Sequence, residues 1–231
     1  MPSPPHDWKE LESIYSHRFD EHIVYRNQVW RVLTSEFFSK LISTDASVLD
    51  LGCGYGEFIN NIRCGKKFAM DMNPRSVKML APDVTVIQQD CSTKWPLPND
   101  SLDVVFTSNF FEHLPSKTAL AETLAQANRC LRKSGTIIAV GPNVRFVGGA
   151  YWDFWDHHLP LTDGALAEAL RLQGFHVQSS IPRFLPYTMH NRRRVPMWVV
   201  SLYLKVPALW RAWGKQFLVI GRKQPTASAG N

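Results

Sequence analysis

Residues 169–231 contain no aspartate or glutamate, yet they hold 10 of the 26 lysines and arginines. All 20 acidic residues come earlier, where they outnumber 16 basic ones. A basic third on a mildly acidic body suits an anionic substrate, a nucleic acid or an acidic membrane surface, and equally a plain solubilising face. Long apolar runs are lacking as well. The longest, such as VPMWVVSLYL at 195–204, fall far short of the roughly 18 residues a spanning helix needs. The opening MPSPPHDWKE has no apolar segment of the secretory kind. Cysteine is scarce: Cys53, Cys64, Cys91 and Cys130 show neither CxxC nor metal-ligand spacing, which reads as reduced thiols in a cytoplasmic protein. A membrane-spanning protein and a disulfide-stapled secreted one are thereby set aside.

What is present fits a soluble globular chain: 231 residues, 45% hydrophobic and 20% charged, enough for one domain with an embellishment. Residues 7–42 read as helical, with Val29, Leu33, Phe37 and Leu41 forming one apolar face. Short apolar runs then alternate with helical stretches. Strands are expected at 47–51, 67–72, 84–90, 102–108, 136–142, 175–181 and 216–222. A helix capped by Ser116 is expected to stop at Gly135, and one capped by Thr162 to stop at Gly174. This alternation predicts an α/β protein, a mainly parallel sheet with helices on both faces.

The segment VLDLGCGYGEF (48–58) runs from a strand into a glycine-rich turn and then a helix, a nucleotide-binding arrangement. Alone, GxGxG is a weak signal, and position 57 is glutamate where a dinucleotide fingerprint has glycine. Asp71, ending the second strand, can take both hydroxyls of a ribose. Asp90, ending the third and followed by Cys91, can accept from an adenine amine.

Together VLDLGCGYGEF, AMDMNP, QQDCSTKWPLPNDSLDVVFTSNFFEHL and LRKSGTIIAVGPN resemble the successive motifs of class I S-adenosylmethionine-dependent methyltransferases, in order, over roughly residues 45–145. The resemblance implies a Rossmann-like, doubly wound, seven-stranded sheet whose last strand is antiparallel. It implies S-adenosylmethionine as cofactor. Asp50, Gly52, Cys53, Gly54 and Gly56 would hold its methionine end, and Asp71 the ribose. Met72 would pack on the adenine, Asp90 and Cys91 would meet its polar edge, and Asn109 would touch the cofactor past the fourth strand. Tyr15 and Arg26 are candidates to close over it, or for packing roles. The expected organisation is one domain over 1–223: a helical cap (1–44), a cofactor-binding core (45–145), and a substrate-side region (146–223) with a helical insertion at about 183–214. Residues 224–231 read as a disordered tail.

Ligands in this topology sit beyond the carboxyl ends of the strands. The loop after the fourth strand carries Asn109, Glu112 and His113. The loop after the fifth carries Asp153, Asp156, His157 and His158. His157 or His158 is the favoured general base, with His113 as competitor. Ubiquinone-pathway and small-RNA 2′-O-methyltransferases carry ExxEH here and bind a divalent cation. This chain reads NxxEH, so Glu112, His113 and His157 are the candidate metal ligands. The basic aromatic region 192–215 reads as a substrate lid, an interfacial helix for membrane contact, or a helix covering the sheet. Arg192, Arg193 and Arg194 are a phosphate or carboxylate clamp, or a solvated turn.

The expected activity is O-methylation of a small or carrier-linked acceptor, the segments WDFWDHHLPLT, RFLPYT and GKQFLVIGRK resembling enzymes of polysaccharide and glycan modification. An RNA 2′-O-methyltransferase is the rival within the class. A nicotinamide-dependent oxidoreductase and a non-catalytic cofactor-binding subunit are rivals outside it.

Overall fold

The computed structural model describes residues 23–187 and 194–224. The expected helix over 7–22, Tyr15, Arg192, Arg193 and the tail from 225 lie outside the described residues. The strands are β1 (Ser47–Leu51), β2 (Lys66–Met70), β3 (Val84–Ile87), β4 (Leu102–Ser108), β5 (Leu131–Pro142), β6 (Phe175–Ile181) and β7 (Gln216–Lys223). They form one sheet in the order β3-β2-β1-β4-β5-β7-β6. Pairings are parallel from β3 to β5, and β7 runs antiparallel to both neighbours. The order reverses between β1 and β4, which opens a crevice at their carboxyl ends.

The central strands are apolar on both faces because both are covered. Leu49, Leu51, Val105, Ile137 and Val219 point to one face, beneath helices α3 (Lys117–Cys130) and α5 (Asp163–Leu172). Val48, Val104, Phe106, Ile138 and Leu218 point to the other, against α1 (Ile23–Glu36) and the pair α6 (Met197–Lys205) and α7 (Pro207–Trp213). Both cap residues act as expected: Ser116 accepts from the Ala119 N–H and Thr162 from the Ala165 N–H, each filling an orphan donor at a helix start. Two short helices complete the fold, α2 (Pro74–Met79) and α4 (Val144–Val147).

Several boundaries differ from the sequence reading. The N-terminal helix stops at Glu36 and tightens into a 3₁₀ turn, Phe38–Lys40. Phe38 and Ile42 thus enter the core and Leu41 is left exposed. The helix from Lys117 ends at Cys130 rather than Gly135. Leu131 pairs at once with Leu102, and the register slips before Thr136 meets Val104. Lys223 Nζ holds the Leu131 carbonyl at 2.7 Å, and Arg132 pairs with Asp103 at 2.8 Å, so tertiary partners replace the helix's next turn. β3 ends at Ile87, leaving Asp90 beyond the strand. The helix expected after the glycine turn is a single tight turn, with Asn60 N bonded to Gly56 O and Ile62 N to Phe58 O.

The insertion between β6 and β7 is helical, as expected. Arg183 anchors its far end by donating to Gly214 O and Ala212 O, both at 2.8 Å. Trp210 is turned inward, its indole N–H on Tyr203 O and its ring against Phe37 and Phe184. Trp198, Leu202 and Trp213 are not core, being exposed.

Candidate functional site

The turn after β1 is built from backbone that only glycine adopts without strain. Gly52, Gly54 and Gly56 have φ of +68°, +52° and +75°. A Cβ at Gly52 would stand 2.1 Å from the Phe110 ring, and one at Gly56 2.5 Å from Leu80 Cδ2. The N–H groups of Gly52 and Cys53 both point at Met70 O, which pins the turn to the end of β2.

Three carboxylates gather here. Asp50 is buried at the end of β1. Burial, with the charges of Glu57 and Asp71, pushes its carboxyl well above the usual range despite a bond from Ile59 N–H. Asp71 follows β2, and burial raises it too. One Asp71 oxygen accepts from Gly54 N and the other from Asn73 N, both at 2.8 Å. Each oxygen keeps a second lone pair. Glu57, sitting where a dinucleotide site has glycine, is buried and ion-paired with Arg26 at 2.7 Å. Arg26 thus pairs with an acid of the turn. Asp50 and Asp71, which burial discourages from ionising, are stabilised as anions by a cationic ligand.

The remaining cofactor candidates are placed unevenly. Met72 is partly exposed beside Asp71. Asn109 adopts φ +50°, which asparagine tolerates better than most residues. Its Oδ1 is buried without a hydrogen-bond partner among the described residues. Asp90 is exposed, and its Oδ1 accepts from both Ser92 N and Ser92 Oγ at 2.8 Å. Cys91 turns inward, its Sγ 3.3 Å from Thr123 Oγ1, and burial pushes its thiol up to about 12. Its side chain belongs to the core.

A second cluster joins the two loops past β4 and β5. Phe110, which abuts Gly52, leads into a 3₁₀ turn, Phe111–His113. The Glu112 carbonyl accepts from the N–H groups of His158 and Leu159, fastening one loop to the other. Ligand atoms of Glu112, His113 and His157 lie within 4.8 Å of one another. His113 Nδ1 is 3.0 Å from Asp156 O and 3.2 Å from Asp156 Oδ2. His157 Nδ1 is 2.9 Å from Tyr151 O. Carbonyl oxygens only accept, so Nδ1 carries the proton in both rings, and in the neutral imidazole Nε2 carries the lone pair.

Burial alone would lower His113; the Asp156 hydrogen bond and the charges of Glu112 and Asp156 outweigh it and leave its pKa raised. Burial pushes Glu112 up to about 7, Asp156 adding to it while His113 opposes. His113 also helps hold Asp71 down, so the cluster and the glycine turn share one electrostatic neighbourhood. His158 differs: its side chain is exposed and its backbone joins the cluster. Two residues escaped the sequence reading. Glu57 was legible as an acid inside a glycine turn. Tyr151 left no signal: its ring is wholly buried against His157, and its hydroxyl is buried without a partner among the described residues.

The family whose description is "Methyltransferase domain" matches residues 22–180. The chain belongs to the methyltransferase domain family. The methyltransferase is similar in fold to solved structures of low identity. One is a chain from the Haloferax volcanii complex between the methyltransferase activator Trm112 and the protein taken to be its methyltransferase. It is 16% identical, with TM-score 0.66, 96% of this chain and 100% of that one covered. Another is an S-adenosylmethionine-dependent methyltransferase from Archaeoglobus fulgidus, at 23% and 0.64, with 86% and 94% covered. A third is an S-adenosylmethionine-dependent methyltransferase from Thermotoga maritima, at 14% and 0.66, with 90% and 96% covered. No curated protein matches the sequence.

S-adenosylmethionine is the cofactor of this family, and the methyltransferase's crevice fits it. The glycine cradle admits no Cβ at Gly52, the crowded carboxylates suit its sulfonium and ammonium charges, and the orphaned Asn109 Oδ1 awaits a donor.

Proposed function

We propose that this methyltransferase O-methylates a hydroxyl of a small or carrier-linked acceptor of the sugar type, with His113 as general base. The observation that carries the reading is the His113–Asp156 pair standing beside the cofactor cradle, within electrostatic reach of Asp71. When bound, S-adenosylmethionine supplies a methyl group already activated on sulfur. Asp50, Asp71, Asn109 and the glycine turn would hold and orient it, so most of the remaining work is alignment and exclusion of water. A hydroxyl must also lose a proton as it reacts. Asp156 fixes the His113 ring with Nδ1–H inward, stabilises the charge formed on it, and leaves Nε2 to take that proton. This ranks His113 and the neighbouring His157 above His158. The acid-free basic third supports an anionic acceptor.

The test is methyl transfer from labelled cofactor to a panel of nucleotide sugars and glycans. His113→Ala should lower kcat by roughly 100-fold or more while calorimetric affinity for S-adenosylmethionine stays within a few-fold. Unchanged turnover in His113→Ala would remove it as base.

The compact Glu112, His113 and His157 group favours a second reading, a divalent cation at the acceptor side, as an RNA 2′-O-methyltransferase would use. Backbone oxygens hold Nδ1 of both rings, the arrangement that fixes imidazoles for Nε2 ligation. Chelation decides: turnover untouched by exhaustive EDTA treatment eliminates the cation, and turnover restored by added metal establishes it.

A further inference from the structure

The insertion carries a surface that stays exposed among the described residues. Helix α6 (MWVVSLYLK) is apolar almost all round, and one side lies on α1. There Ser201 Oγ donates to Glu36 at 2.7 Å, and Tyr25 Oη accepts from Val195 N at 3.0 Å. Leu204 is buried with them. The opposite stripe carries Trp198 and Leu202, at the i, i+4 spacing of a single face, and is exposed. Val195 before it and Ala208, Arg211 and Trp213 after it extend the exposed surface. Trp198 is 68% exposed, Trp213 61%, Leu202 48% and Val195 41%. Trp210, on the same α7 as Trp213, is turned inward, bonded and half-buried, unlike Trp198 and Trp213.

Charge names the partner. Arg194, Arg211 and Lys215 neighbour these apolar groups in the chain and are exposed. Lys205 reaches Glu36 of α1, while the chain from 169 onward holds no acid at all. We propose that the α6–α7 face is a peripheral docking surface for an anionic lipid bilayer. Indole rings combine an apolar body with an N–H donor, which suits the boundary between headgroups and acyl chains. Arginine and lysine lay their stems on that boundary and reach up to lipid phosphates. Single-stranded nucleic acid also takes basic grooves and aromatic platforms. Here, though, the rings alternate with Val195, Leu202, Pro207 and Ala208, which offer nothing to a base and much to a hydrocarbon. Contact would be superficial, because no helix among the described residues is long and apolar enough to cross a membrane. The insertion leaves β6 and re-enters β7 at the carboxyl edge of the sheet, where Gln216 pairs with Pro142, so the docking surface is rooted at the edge that bears the cofactor cradle.

Co-sedimentation of the full chain with vesicles tests this, using phosphatidylcholine alone and phosphatidylcholine with about one third phosphatidylglycerol. The mixed vesicles should bind at least about tenfold more tightly than neutral ones, weaken with salt, and shift tryptophan emission to the blue. The pair Trp198→Ala and Trp213→Ala should each lower binding and together nearly abolish it, with cofactor affinity unchanged as proof of folding. Arg211→Gln with Lys215→Gln should cost roughly 30-fold. Three results would overturn the proposal: no sedimentation with either vesicle, sedimentation indifferent to the tryptophan pair, or tighter capture of a mixed-sequence RNA oligonucleotide that displaces the vesicles.

Discussion

The glycine cradle and the Glu112–His113–His157 cluster lie side by side, yet they are made differently. The cradle is backbone: three positive-φ glycines within five residues, clamped to β2, with carboxylates at the ends of adjacent strands. The cluster is side chain: Glu112 and His113 from one loop meet Asp156 and His157 from another, more than forty positions on. A backbone site fails when a single methyl group is added. A side-chain site fails by function first, because its members can be trimmed without moving the chain. The distinction can be broken by mutation.

The largest effect is expected at the cradle. Gly52→Val puts a branched side chain at φ +68° and into the Phe110 ring. Left-handed backbone costs about 1–2 kcal/mol and overpacking about 1–3 kcal/mol. Calorimetry should find no S-adenosylmethionine binding, and thermal melting should show a clear drop. If affinity survives, the cradle is not backbone-limited.

His113→Ala and His157→Ala should separate binding from turnover, with the greater loss of kcat at His113, on the order of 3 kcal/mol in the barrier. Equal binding with unequal turnover is the signature of the side-chain site.

Glu112 gives a pH test. Its folded pKa of about 7 stands above the ordinary 4.5, so the folded state holds a proton that the unfolded chain has released. Its destabilising contribution is absent below pH 4.5, grows as pH rises, and is complete above about 7, reaching roughly 3 kcal/mol. Glu112→Gln should therefore gain stability over the natural protein between pH 5 and 8, read by urea unfolding in EDTA. A pH-independent difference would show that Glu112 has the same pKa folded and unfolded, so that the fold does not raise it.

Tyr151→Phe should have the smallest effect. Removing a buried hydroxyl without a partner should leave stability unchanged or raise it by about 1 kcal/mol. A fall in kcat/KM for the acceptor, with cofactor affinity constant, would mark the hydroxyl as an acceptor contact; an unchanged value would make Tyr151 a packing residue.

Much of the fold was legible. β1, β4 and β6 fall where alternation and apolar runs put them, and the caps at Ser116 and Thr162 hold, because these are local preferences. The misses share a cause. The helix before β5 ends five residues early because Lys223, over ninety positions away, takes a carbonyl that the next helical turn would have used. Leu41 lost its place on the apolar face because the 3₁₀ turn rotates Phe38 and Ile42 inward instead. At the site, the glycines, Asp50 and Asp71 were readable by spacing. The choice among His113, His157 and His158 was not, since all three occupy plausible loops and only packing exposes one of them.

By itself the sequence determined the strand-turn-strand grammar, the glycine cradle and the acid-free third, since each rests on backbone preference or on charge that neighbours in the chain already share. Tertiary structure alone decided which histidine faces Asp156, that Glu57 meets Arg26, and that Trp210 is turned inward and half-buried while Trp198 and Trp213 face water. Burial and pairing across a fold depend on what arrives from elsewhere in the chain, and no local spacing encodes that.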